Sequence, residues 1–177
     1  MDLALVRAHA LIRQIQDYPI PGVRFQDLTP LLADGPSFQA VTAEFACLAQ
    51  SCDVVVGIEA RGFIFAAAIA YSLRLGFVPI RKKGKLPFDT HEENYGLEYG
   101  SDVIAIHQDA IGKGSHVLLI DDVLATGGTV CAGIRLILRS GGSVSAVGTV
   151  LEISSLEGRK RIAKEFPDVP LHSIFTA

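Results

Sequence analysis

The chain alternates between two kinds of apolar pattern. Leu3, Val6, Ala10, Leu11 and Ile15 recur at helical spacing and predict an N-terminal helix, stopped by Pro19 and Pro21-Gly22. The stretch "PIPGVRFQDLTPLL" reads as an ordered loop or short irregular cap. A second helix follows, marked by Phe38, Val41, Phe45 and Leu48, with Pro36 and Ser37 at its start. Beyond it the pattern changes. "DVVVGI", "FVPIR", "HVLLI" and "VSAVGTVLE" are β-branched apolar runs suited to strands buried on both faces. "DVIAIH" is a strand near an edge, and "LHSIF" a last strand. Between them lie "GFIFAAAIAYSLRL", a helix of small residues, and "GTVCAGIRLILRS", with Val130, Ile134 and Ile137 on one face. "SSLEGRKRIAKEF" is a charged helix. "KKGKLPFDTHEENYG" has no clear period, and polar stretches of that length inside a domain are often functional lids.

Buried strands alternating with helices predict an α/β fold: a mostly parallel central sheet flanked by helices. Ligands of such sheets bind at the carboxyl ends of the strands, near the point where the strand order reverses. Three loops fall there: Glu59 to Gly62, Arg81 to Gly96 and Asp121 to Thr129.

Composition narrows the class. The 177 residues suit one domain, and 49% hydrophobic with 20% charged residues is a globular balance. Nineteen acidic against 16 basic residues give a net charge of -3, so no nucleic-acid partner is expected. The longest oily run, Gly62 to Leu73, is too short for a membrane span, and no secretory pattern opens the chain. The irregular spacing of Cys47, Cys52 and Cys131 argues for small buried thiols in a reducing cytoplasm rather than for disulfides or zinc. A soluble cytoplasmic protein is expected.

"VLLIDDVLATGGT" carries the most specific chemistry. Its glycines allow a tight turn and bring N–H groups close to a ligand at a helix start. The helix dipole there contributes only about 0.3–1 kcal/mol, so several N–H and hydroxyl donors must act together on an anion. A plain strand-to-helix turn would use the same "TGGT". The paired Asp121 and Asp122 shift the balance: like charges about 4 Å apart repel by roughly 4 kcal/mol at an effective dielectric near 20. They need donors or a cation, and a sugar diol supplies donors. Successive strand residues face opposite sides, so both reach one ligand only if the chain leaves the strand there. The stretch therefore suits a phosphosugar.

The same stretch resembles the phosphoribosyl-pyrophosphate signature of the type I phosphoribosyltransferases. "IPGVRFQDLTPLL", "EARGFIFAAAIA", "IRKKGKLP", "YGLEYGSD" and "LEISSLEGRKRI" resemble segments of the adenine phosphoribosyltransferase family in the same order, over nearly the whole chain. The resemblance implies the type I phosphoribosyltransferase fold with a small N-terminal hood, about residues 1–35, and a lid loop, about 82–106. It implies transfer of the phosphoribosyl group of phosphoribosyl pyrophosphate to adenine, giving AMP and pyrophosphate, with Mg²⁺ held mainly by the substrate and no metal site of the protein's own. It also implies a homodimer.

Residue by residue, the resemblance gives the ribose phosphate to Ala125, Thr126, Gly127, Gly128 and Thr129, and the ribose diol to Asp121 and Asp122. Arg61, Arg81, Lys82 and Lys85 would face pyrophosphate, while Lys83 reads as solvated. Arg81 would also serve a neighbouring subunit's site. Glu98 would manage the proton that adenine loses, and Phe25 and Val123 would sandwich the base. Each has a plainer reading: Arg61 a surface charge, Glu98 an exposed acid, Phe25 core. Two positions depart from the family pattern. Gln26 stands where the family has a basic residue, and Glu59-Ala60 replaces Asp-Ser. Base recognition through the backbone would tolerate Gln26; recognition through side chains would not. For the Glu59 loop a backbone role is expected over any side-chain role. A phosphoribosyltransferase for another purine and a non-catalytic regulator sensing phosphoribosyl pyrophosphate are the alternatives.

Overall fold

Residues 2–95 and 102–177 are described by the structure, a computed structural model. Two compact units divide the chain, Met1–Glu44 and Phe45–Ala177, and the boundary falls some nine residues beyond the expected end of the hood.

In the first unit, α1 (Leu3–Ala10) is capped by Asp2, whose carboxylate accepts the Ala4 N–H at 3.1 Å. Ile15 does not continue this helix. It lies on β1 (Arg13–Ile15), opposite Phe25 of the antiparallel β2 (Phe25–Asp27). The helix ends at Ala10, with Leu11 as its cap, so helical spacing carried five residues too far; strand pairing with a distant segment outcompetes a local period. The segment expected as irregular thus holds a strand and a short helix, α2 (Thr29–Ala33). Asp27 joins all three pieces. Its carboxylate accepts the Thr29 N–H and hydroxyl at 2.9 and 2.7 Å and a fork from Arg13 at 3.0 and 2.6 Å. The Thr29 bonds, with Arg13 behind them, hold its pKa down at about 2. α3 (Gly35–Leu48) begins where the Asp34 carboxylate accepts the Ser37 N–H at 3.1 Å.

The second unit is a seven-stranded sheet. Its elements run β3 (Val54–Ile58), α4 (Gly62–Leu73), β4 (Gly76–Lys82), β5 (Thr90–Asn94), β6 (Val103–His107), β7 (His116–Leu124), α5 (Gly128–Arg139), β8 (Ser143–Glu152), a 3-10 turn at Ser154–Leu156, α6 (Gly158–Glu165) and β9 (Leu171–Thr176). The strand order is β5-β6-β4-β3-β7-β8-β9. Pairs among β4, β3, β7, β8 and β9 are parallel, and β6 is antiparallel to both its neighbours. The order reverses between β3 and β7, which sit side by side although 57 residues separate Ile58 from His116 and the intervening strands lie on one side only.

The expected lid loop is thus in good part a hairpin. β5 lies within "KKGKLPFDTHEENYG" and pairs with β6 from Thr90↔His107 to Asn94↔Val103. As the sheet's edge strand it has few buried side chains, so its polar sequence hides its period. Cys47 is exposed, contrary to expectation, while Cys52 and Cys131 are buried; all three are free thiols.

Small residues let helices approach the sheet from both faces. A Cβ on Gly57 would lie 2.8 Å from Ala66 Cβ of α4, and one on Gly133 of α5 would lie 3.4 Å from Ile58 Cδ1 on the other face. A Cβ on Gly148 would fall 2.7 Å from Ile120 Cδ1 and 2.8 Å from the Phe45 ring. All of these neighbours are buried, so Gly148→Ala should cost roughly 1–3 kcal/mol by overpacking, read as a lower urea midpoint with an unchanged m-value.

Candidate active site at the switch point

β3 pairs with β7 only as far as Ile120, whereas β7 stays paired with β8 to Leu124. One side of β7 is therefore open from Asp121 onward. The strand does not end before the two aspartates, as one shared ligand would have required. It continues through them, and their side chains diverge. Asp121 lines a small recess, open to solvent, together with the run Val123 to Val130. Asp122 turns to Arg61, whose Nε lies 2.5 Å from Asp122 Oδ2. That contact is short, yet Oδ2 accepts no hydrogen bond of good angle, so charge pairing rather than an aligned bond holds it.

Both carboxyl groups are buried. Burial first, then the Asp122 charge, pushes the Asp121 carboxyl well above the ordinary carboxylate range. The Asp122 N–H that it accepts at 2.9 Å, and the more distant Arg61, oppose this only in part. Gly62 makes the close approach possible: a Cβ there would lie 3.0 Å from the Ile120 carbonyl and 3.2 Å from Asp121 Oδ1.

Past Leu124 the chain turns through Ala125 to Gly127 into α5. Gly127 has φ 77°, a left-handed conformation that favours glycine, and caps the helix without a side-chain bond. The N–H groups of the first turn are thus available to a ligand in the recess. The sequence reading missed what stands behind this loop. A Cβ on Gly158, the first residue of α6, would lie 2.3 Å from the Ala125 carbonyl and 2.9 Å from the Gly127 nitrogen. The available signal was a glycine at a helix start, where other residues are usual. α6 is anchored by Arg159, whose guanidinium forks onto buried Glu152 at 3.1, 3.0 and 2.6 Å and holds that carboxyl below its usual value.

The basic loop after β4 is organised by a side chain rather than by backbone alone. Glu59 accepts the Lys82 N–H at 2.8 Å and the Arg81 guanidinium at 3.2 Å, while its own N–H donates to the Ile80 carbonyl at 2.9 Å. Burial alone would raise the Glu59 pKa, but these donors outweigh it and hold the carboxyl low. Glu59 thus has a side-chain role that the sequence reading gave to the backbone. Arg81 also donates to the Lys85 carbonyl at 3.1 Å. Lys82 and Lys85 are exposed, with no carboxylate in ion-pair range among the described residues, whereas Lys83 pairs with Glu92 at 2.7 Å as a surface charge does.

Arg61, Asp121, Asp122, Val123 and the loop Ala125 to Thr129 are therefore gathered at the carboxyl ends of β3 and β7, with the Arg81 loop tied to them through Glu59. Phe25 and Gln26 belong to the first unit. Phe25 is half-buried and meets Tyr18 edge-on with ring centroids 5.2 Å apart, and Gln26 is buried. Glu98 lies outside the described residues.

The chain matches the phosphoribosyl transferase domain over residues 31–174. It is 49% identical over 155 residues to the adenine phosphoribosyltransferase of Roseiflexus castenholzii, covering 86% of this chain and 90% of the relative. The chain belongs to the adenine phosphoribosyltransferase family. The family's fold is confirmed in three dimensions. The crystal structure of the adenine phosphoribosyltransferase of Rhodothermus marinus superposes with a TM-score of 0.91 at 44% identity, covering 98% of each chain. That of Giardia lamblia, complexed with 9-deazaadenine, gives 0.90 at 36% identity, covering 99% of each. Among the described residues no helix is long and apolar enough to cross a membrane.

Proposed function

We propose that this chain transfers the phosphoribosyl group of phosphoribosyl pyrophosphate to adenine, releasing AMP and pyrophosphate. The observation that carries this reading is the switch-point arrangement. A glycine loop with free helix N–H groups, a buried carboxyl pair on β7 and the cations after β3 and β4 meet at the carboxyl ends of neighbouring strands. A phosphorylated sugar bearing a diol and a polyanionic leaving group has the same sequence of chemistries. The family's members, including one complexed with 9-deazaadenine, point to adenine as the acceptor.

The 5′-phosphate would sit on the N–H groups and hydroxyls of Ala125 to Thr129. Asp121, on the recess side, would meet the ribose hydroxyls, and Asp122, on the Arg61 side of the strand, would favour positive charge on the ring as the bond from C1′ to pyrophosphate breaks. Arg61, Arg81, Lys82 and Lys85 would hold the charge that builds on the departing oxygens. Binding would draw Arg61 from Asp122 toward the pyrophosphate and leave that carboxylate's charge uncompensated. The attacking ring nitrogen of adenine bonds to C1′ from the opposite face and loses its proton; Glu98 takes that role on the resemblance alone. Phe25 and Val123 would flank the base, with Gln26 beside it.

Among the described residues no three His, Cys, Asp or Glu side chains converge on a metal position. The donor set fits an ion borne by substrate: Asp122 Oδ2 is buried without an aligned donor, a suitable acceptor for a metal-bound water. Bound Mg²⁺ supplies positive charge at the pyrophosphate oxygens. Exposed Tyr71 and Ile64 on α4 support a homodimer, which size-exclusion chromatography would read, and free thiols agree with a cytoplasmic setting.

Purified protein given adenine, phosphoribosyl pyrophosphate and Mg²⁺ should form AMP with one pyrophosphate per turnover. No AMP at micromolar enzyme, or faster use of a 6-oxopurine, would defeat the assignment. Arg61→Gln should lower kcat/KM by roughly a hundredfold, the usual cost of losing a preorganised donor at developing charge. An effect below about threefold would remove Arg61 from the pyrophosphate site.

A further inference from the structure

The loop "ATGGT" carries no cation of its own, and it follows two carboxylates. A phosphate dianion held there needs positive charge from outside the loop, since a helix end alone contributes little. α6 provides one. The Arg161 guanidinium lies against the first residue of α5: a Cβ on Gly128 would be 3.1 Å from its Nη1 and 3.7 Å from its Cζ. In a helix the Cα–Cβ direction tilts toward the N-terminus, so this contact lies on the N-terminal side of α5, at a residue that itself lines the recess.

Arg161 is also kept available. The carboxylates one turn away on either side are engaged elsewhere: Glu157 pairs with Lys160, and Glu165 pairs with Arg135. Among the described residues no carboxylate lies within ion-pair distance of Arg161. The charge is felt along the start of α5, where it opposes the burial that pushes the Cys131 thiol up to about 11. Gly128 is what admits it, because any side chain there would meet both Arg161 and the Tyr95 carbonyl, 2.8 Å from the same point.

We propose that Arg161 pairs with the 5′-phosphate and is the residue by which the site distinguishes a phosphorylated ribose from a free one. The proposal rests on the reading that Ala125 to Thr129 hold that phosphate. Arg161→Gln should raise KM for phosphoribosyl pyrophosphate and the inhibition constant of AMP by about tenfold, the loss of one charge-assisted contact. KM for adenine and the inhibition constant of free pyrophosphate should stay within about twofold, and Arg161→Lys should recover part of the loss. Thr129→Val is the companion variant, because it removes a donor from the loop itself. A silent Arg161→Gln beside a weakened Thr129→Val overturns the role of Arg161 and leaves the loop assignment standing. Two silent variants overturn the loop assignment and the proposal with it. An Arg161→Gln protein that loses adenine, pyrophosphate and AMP affinity alike, with a lower melting temperature, shows a structural role only and also overturns the proposal.

Discussion

Asp121→Asn should stabilise the protein at neutral pH while lowering its activity. The wild-type carboxyl is buried beside the Asp122 charge, and both effects favour its protonated form in the fold. In the unfolded chain the same group ionises near 3.8, as an ordinary aspartate does. Between that value and the raised folded one, the native state holds the extra proton. Stability therefore falls as pH rises through this window and stays reduced above it. Asn carries no such cost. Its oxygen can still accept the Asp122 N–H, and its NH₂ can donate toward Asp122 where a carboxylate would repel. Urea midpoints for the variant and wild type should coincide below pH 4 and separate in the variant's favour as pH rises. Equal midpoints at pH 7 to 8 would show that Asp121 titrates normally in the fold. The same substitution takes the ionisable oxygen from the group that faces the recess, so it cannot become a carboxylate once cationic groups gather around bound substrate. On the proposed reading kcat/KM should drop by about tenfold or more, the loss of one hydrogen bond to a charged group. A group that destabilises the fold and serves the site is common where function dictates the residue.

Gly158→Ala should damage the phosphate loop without touching a ligand. The added methyl would lie 2.3 Å from the Ala125 carbonyl and 2.9 Å from both the Gly127 nitrogen and Leu124 Cδ1. Two of these obstacles are backbone. The reverse contact is as tight, since a Cβ on Gly127 would lie 2.8 Å from the Gly158 carbonyl. Neither segment can yield by turning a side chain, so the loop or α6 must move. The cost should be roughly 1–3 kcal/mol, or a fall in melting temperature of about 2–4 °C for each kcal/mol at this chain length. KM for phosphoribosyl pyrophosphate should rise at least about tenfold, with KM for adenine little changed. Gly35→Ala is the contrast, because nothing lies within 4 Å of its Cβ position. It should leave both constants alone. A normal KM in Gly158→Ala would mean that the loop does not depend on its contact with α6.

Much of this protein was legible along the chain because buried strands and amphipathic helices write their periods directly. "DVVVGI", "HVLLI" and "VSAVGTVLE" read as strands because each run is largely buried on both faces, and hydrophobic runs of that kind have few other uses; that β7 continues from Ile120 through the aspartates to Leu124 did not show. The glycine loop and acidic pair were equally visible, since their chemistry is local. The edge strand Thr90–Asn94 was not, because an edge position asks for polar residues and so erases the alternation. Ile15 was misplaced for a related reason: its partner Phe25 is ten residues away, beyond the reach of a helical count.

The sequence by itself determined the α/β class and, through its family motifs, adenine phosphoribosyl transfer. Only the tertiary structure decided how the loops serve one another. It separated Asp121 from Asp122, turning one to the recess and the other to Arg61, because β3 stops pairing at Ile120 while β8 continues. It gave Glu59 the task of holding Arg81 and Lys82. It set Gly158 and Arg161 of α6 against a loop 30 residues earlier. Such pairings depend on which strand ends where and on how closely two backbones approach. Neither quantity has a period or a local residue preference for a sequence to display.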